Sequence, residues 1–149
     1  GFTSTLYEEV REKRGLVYSV STDLYPLDHA GLIVGSAATA NERVAETVQV
    51  VRDEWRHMAE GAITTERLED AKTYLTGSFP LALTSSERIA GILVGMQLDH
   101  LGIDYLELRN ALIEAVSLEE ANRVAGELLN PDEMTFVIVG RPEGIRASN

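Results

Sequence analysis

Arg11 and Tyr18 are the two residues of this chain whose types and spacing suit chemistry. A guanidinium and a phenol are hydrogen-bond donors, and two such donors held together can steady a carbonyl oxygen that is gaining negative charge. They lie in the run Val10-Arg11-Glu12-Lys13-Arg14-Gly15-Leu16-Val17-Tyr18. That run reads as the end of a charged helix turned through a single glycine into a strand, which brings both side chains towards the same end of the helix–strand unit. It offers no nucleophile, no general base and no metal-ligand set, so it reads as half of an active site. Each residue also has a plain structural reading. Arg11 can be a solvated cation beside Lys13 and Arg14, favoured near a helix C-terminus by the macrodipole. Tyr18 can be a core residue on the apolar side of its strand.

The elements that must position this pair follow from punctuation and periodicity. Thr3 or Ser4 is expected to cap a helix running to about Arg14, with Gly15 as its left-handed stop. Residues Leu16 to Tyr25 alternate, with Leu16, Tyr18, Val20 and Leu24 on one side and Ser19, Ser21 and Asp23 on the other, as in a half-buried strand. Pro26 to Gly31 makes the reversal into a second strand, Leu32 to Ala38. Asn41 is expected to cap a long helix carrying Val44, Val48, Val51, Trp55 and Met58 at helical spacing, ended by Gly61. Thr64 or Thr65 opens a helix with Leu68, Ala71, Tyr74 and Leu75 on one face, interrupted at Pro80. A helix from about Ser86 to His100 should turn Ile89, Ile92, Leu93 and Met96 inward. Asp104 with Glu107, and Ser117 with Glu120, have the spacing of capping boxes for two more helices. Met134 to Val139 reads as a final strand. The expected fold class is α+β: a two-layer domain with a small mixed or antiparallel sheet covered on one face by several helices.

The length of 149 residues suits a single domain, residues 1–149, with room for a substantial core. The net charge of −11, from 13 basic and 24 acidic side chains, argues against a nucleic-acid partner, which would need clustered positive charge. With no cysteine there is neither a disulfide framework nor a thiolate metal site. No stretch approaches a membrane span and nothing at the N-terminus reads as a signal peptide. The compartment is left open by the sequence, with a soluble protein of a bacterial cytoplasm or periplasm as the expectation.

The run EEVREKRGLVYSV, preceded by Gly1-Phe2-Thr3-Ser4-Thr5-Leu6, resembles the second domain of the pitrilysin-type zinc peptidases. That group includes the mitochondrial processing peptidases, insulin-degrading enzyme and the catalytically silent core subunits of a respiratory complex. Its motif, a helix ending R-E-x-R-G-L-x-Y, is matched by Arg11, Arg14, Gly15 and Tyr18 in type and spacing. The resemblance runs over most of the chain, to Leu129-Asn130-Pro131-Asp132. It implies that Arg11 and Tyr18 bind substrate and stabilise its transition state at a zinc held by another domain. It further implies that the chain is the C-terminal portion of a second, metal-free domain, with sheet and helix missing ahead of it. The implied partners are a zinc-bearing domain or subunit and a peptide substrate. No cofactor is implied on this chain, and zinc is implied in the complete enzyme. An unpaired sheet edge could be covered by a second copy. The alternative within the same family is a structural or assembly module, a silent homologue. A free-standing acidic domain that binds basic peptides without turnover is a third reading.

The family's metal motif, His-x-x-Glu-His on one helix, is not completed here. His57-Met58-Ala59-Glu60 has its opening, but Gly61 stands where the second imidazole belongs, so His57 is better read as a helix-end histidine. His100 falls on the apolar side of its helix and His29 in a turn. By itself the chain should not hydrolyse peptides. Gly91-x-x-x-Gly95 sits in too short and too charged a stretch for a membrane helix and suggests close helix packing.

Overall fold

The computed structural model describes residues 7–146. The expected cap at Thr3 or Ser4 lies outside the described residues. The chain divides into two compact units, residues 1–62 with 122–149, and residues 63–121.

The first unit opens with a helical segment, Tyr7–Glu12. Its Lys13 N–H reaches back to the Glu8 carbonyl at 2.9 Å, a five-residue step, so the segment is wound wider than the α-helix expected there. The widened end is closed by Gly15 N–H on the Arg11 carbonyl, 3.0 Å, and Leu16 N–H on the Val10 carbonyl, 2.8 Å. Gly15 takes φ +58°, the left-handed stop that the sequence implies. Strand β1, Val17–Leu27, then pairs antiparallel with β2, Ala30–Thr39, with Leu27 opposite Ala30. The reversal is tighter than the expected 26–31 segment, because Pro26 stays in register opposite Gly31. A proline is tolerated there since it costs no ladder bond on an edge strand.

The register breaks once. Val17 faces Thr39 and Ser19 faces Ala38, so Tyr18 is an extra residue, a β-bulge. The bulge changes which side chains share a face. Val17 and Val20, three positions apart, both meet the cluster of Val10, Leu16 and Val50, which simple alternation could not allow.

A single 3₁₀ turn, Asn41–Arg43, leads into α1, Val44–Ala59. Trp55, Val50, Val44 and Thr47 are its buried residues. Asn41 does not cap this helix. Its side-chain Oδ1 accepts from Arg141 N–H at 3.1 Å, and its carbonyl accepts from Glu143 N–H at 3.0 Å, which ties down the far end of the chain. Gly140, φ +147°, permits the approach, since a Cβ there would sit 3.0 Å from Asn41 Oδ1. The segment 134–139 has no regular secondary structure and belongs to no sheet, contrary to the expected final strand. Val137 and Val139 are 86% and 95% exposed, and Phe136 lies under the Arg52 guanidinium at 5.1 Å. An apolar run makes a strand only where a neighbouring ladder is free, and among the described residues the sheet is the β1–β2 hairpin alone.

The second unit holds α2, Thr65–Ser78, a 3₁₀ segment Phe79–Leu83 at the expected proline break, α3, Ser86–Leu98, and α4, Tyr105–Ala115. Thr64 and Ser85 cap α2 and α3, accepting from Arg67 N–H at 3.2 Å and Arg88 N–H at 3.3 Å. Helix α5, Leu118–Leu128, starts with the reciprocal Ser117–Glu120 box, while α4 lacks its box. Asp104 has near-helical backbone angles, so its carboxylate is not presented to the first turn, and its carbonyl alone serves Glu107 and Leu108. Arg109 stacks 4.2 Å over the Phe79 ring and donates to the Leu75 carbonyl at 3.1 Å. The apolar faces here are not sealed: Tyr74, Leu75, Ile89 and Leu93 are exposed where burial is expected, and of that set Met96 is buried. Gly91 and Gly95 have nothing within 4 Å of a would-be Cβ, so they mark no close packing.

The architecture is α+β, with a two-stranded antiparallel sheet and five α-helices among the described residues. Among the described residues no helix is long and apolar enough to cross a membrane.

Candidate substrate-binding site

Arg11 projects from the opening helical segment and is exposed. One turn earlier stands Tyr7, and the Arg11 guanidinium lies over its ring at 5.0 Å from the centroid. This cation–π contact limits the arginine's rotamers without occupying its N–H donors. The neighbouring cations are neutralised instead. Lys13 pairs with Glu9 and, at 3.1 Å, with Glu8, while Arg14 lies 4.0 Å from Glu9. Hydrogen bonds donated by the Lys13 ammonium to Glu9 first and Glu8 second raise its pKa above the usual 10.5. Arg11 has no carboxylate partner among the described residues, so of the basic run it alone keeps its full donor set.

Tyr18 is 73% exposed, although Leu16 and Val17 immediately before it are buried. The expectation of a core tyrosine assumes unbroken alternation from Leu16 through Val20. The bulge breaks it, and a bulge re-aims the residue it carries. Among the described residues the Tyr18 hydroxyl makes no hydrogen bond, so it too is an open donor. Arg11 and Tyr18 thus stand on adjoining elements joined at Gly15, both solvent-facing and both uncommitted. Tyr7 is not legible in the sequence as part of this site, and the one signal for it is its i,i+4 spacing to Arg11.

The joint is braced from the end of β2 and the 3₁₀ turn that follows it. Arg43 Nη1 donates to the Gly15 carbonyl, and Thr39 Oγ1 donates to the Leu16 carbonyl. Thr47 Oγ1, buried, donates to the Arg43 carbonyl at 2.9 Å and lies 3.4 Å from Thr39 Oγ1.

The histidines do not assemble with these donors into a metal site. His57 is exposed with Nδ1 3.8 Å from Glu54, and His29 is in the hairpin turn. His100, expected on an apolar helix face, instead follows the end of α3, exposed and at φ +54°. The helix ends at Leu98 with Asp99 as its cap, so His100 lies beyond the helix and on none of its faces. Among the described residues no three of His, Asp and Glu come together as ligands. The donor set present does not fit a resident zinc.

Known proteins agree with this architecture. An uncharacterized zinc protease of Mycobacterium tuberculosis is 35% identical over 130 residues, 87% of this chain and 30% of the relative. A non-peptidase homolog of Helicobacter pylori is 29% identical over 144 residues, 93% of this chain and 32% of that protein. The crystal structure of a peptidase M16 inactive domain from Pseudomonas fluorescens superimposes with a TM-score of 0.73 at 30% identity, covering 89% of this chain and 32% of that one. The chain therefore spans about 30% of the curated relatives it matches. The sequence profile of the peptidase M16 inactive domain matches residues 1–75, which include the Arg11–Tyr18 joint and both strands, and the chain belongs to that family.

Proposed function

We propose that this chain is the C-terminal portion of the second, metal-free domain of a larger zinc metalloendopeptidase of the bacterial cytoplasm or periplasm. In this reading Arg11 and Tyr18 bind a peptide and donate to the oxygen of the carbonyl under attack, at a zinc site carried by a partner domain or subunit. The observation that carries it is the bulge, which leaves Tyr18 exposed across the Gly15 joint from Arg11, itself over the Tyr7 ring and without a carboxylate partner among the described residues. Donors fixed before the reaction stabilise developing charge without reorganising, and one such donor is worth about 10²–10³ in turnover. Zinc would supply the Lewis acid and the activated water of the complete enzyme. This chain's part is to orient the substrate and receive the oxyanion.

The test is to make Tyr18→Phe and Arg11→Ala in the complete protein and follow cleavage of fluorescein-labelled casein. A fall of about 10²-fold in kcat for Tyr18→Phe supports the reading, with the thermal midpoint held within the small range of surface substitutions. Full turnover in both variants removes it. The name of the Helicobacter relative favours a second reading, a silent assembly module. Here the unpaired edges of the hairpin would be covered by another copy, and sedimentation showing a monomer at high concentration would count against it.

A further inference from the structure

We infer that Arg43, with Thr39, is a positioning residue for the Arg11–Tyr18 pair, an inference that rests on the substrate-binding role proposed above. Between the two donors the backbone makes one left-handed turn at Gly15, and the inner hydrogen bonds of that turn use the carbonyls of Val10 and Arg11. Where the turn runs into β1, the carbonyls of Gly15 and Leu16 receive no backbone N–H of the turn. Arg43 Nη1 takes the first and Thr39 Oγ1 takes the second. Thr39 is also the ladder partner of Val17, the residue immediately before the bulge. One side of the latch is thus fixed at the start of the strand that carries Tyr18, and the other at Gly15, whose N–H is bonded to the Arg11 carbonyl. Behind both stands buried Thr47, donating to the Arg43 carbonyl at 2.9 Å and holding the 3₁₀ turn that presents Arg43.

Gly15 and Arg43 are exposed, so water can replace the lost bond and the fold does not depend on it. What water cannot replace is the angle between helix segment and strand. Small misplacements of a catalytic donor reduce rate strongly even when binding survives.

The experiment uses the complete protein with fluorescein-labelled casein as substrate. Arg43→Met should lower kcat about tenfold with KM changed less than about twofold, and Arg43→Lys should recover part of the loss. In a background already carrying Arg11→Ala and Tyr18→Phe, the same Arg43→Met change should have less than about a twofold effect, because there is no longer a donor to place. Hydrogen exchange of the amides from Gly15 to Ser19 should quicken in Arg43→Met. An equal loss in both backgrounds, or unaltered exchange in that segment, overturns the inference. If the Arg11 and Tyr18 variants lose turnover while Arg43→Met keeps it, the positioning role falls alone. If those two variants keep full turnover, or the complete protein has none, the proposed function falls and takes the positioning role with it.

Discussion

Replacing Gly15 by alanine isolates the conformational requirement of the joint. At φ +58° an L-residue pays about 1–2 kcal/mol relative to its ordinary right-handed or extended states. A Cβ built on Gly15 would have Arg43 Nη1 as its nearest neighbour, 3.9 Å away, which is ordinary van der Waals distance and adds no steric penalty. Alanine also narrows the unfolded ensemble, which returns about 0.4–1 kcal/mol. The net expectation for Gly15→Ala is a loss of about 1 kcal/mol. Gly15→Asn should lose about half of that, because asparagine tolerates the left-handed region. Trp55 is the sole tryptophan, buried in the same unit as Gly15, so urea unfolding followed by its fluorescence reports on the right part of the chain. A neutral or stabilising alanine would show that Gly15 is not held left-handed. A loss beyond about 3 kcal/mol would show that the surroundings of Gly15 are more crowded than the 3.9 Å separation from Arg43 Nη1 allows.

The remaining expectations are brief. Trp55→Ala should cost about 3–5 kcal/mol by cavity formation in the first unit, read from urea midpoints by circular dichroism. Gly91→Ala, in the middle of α3 with nothing near a new Cβ, should stabilise the second unit by about 0.5–1 kcal/mol; a loss of helix stability by the same method would refute the open space around it. Lys13 has a folded-state pKa raised above 10.5, so its contribution is present below that pH and is lost as pH rises through the folded value. The stability of the parent should therefore fall towards that of Lys13→Met in alkaline urea titrations, and parallel curves would contradict the pairing with Glu9 and Glu8.

Local signals in the sequence are enough for much of this structure. Gly15 as a left-handed stop, the two strands, the proline break after α2, and caps at Thr64 and Ser117 depend on interactions within a few residues, where composition speaks directly. The misses involve distant partners. Alternation puts Tyr18 on the apolar side because it contains no information on how Val17 and Ser19 register against Thr39 and Ala38. Asn41 has the residue type of a cap but serves amides 100 residues away and beyond. Met134 to Val139 has a strand's pattern and no strand to join among the described residues. In the second unit, helical periodicity reveals the helices but not their burial, since Tyr74 and Leu93 keep apolar surface in water. For the site itself, Arg11 and Tyr18 are visible as residue types, whereas the ring beneath the arginine and the latch from Thr39 and Arg43 need coordinates.

The Asn41 tie has a consequence for the order in which the chain can mature. On the ribosome, the helical segment before Gly15, the hairpin and α1 emerge well ahead of residues 141 and 143, and can fold by local pairing. Asn41 must wait until those two residues have been translated before its oxygen atoms find their amides. Arg43 sits in the same 3₁₀ turn, so the grip on Gly15 reaches its final rigidity only at that late stage of synthesis. A nascent chain stalled before Arg141 would carry Arg11 and Tyr18 on a looser hinge.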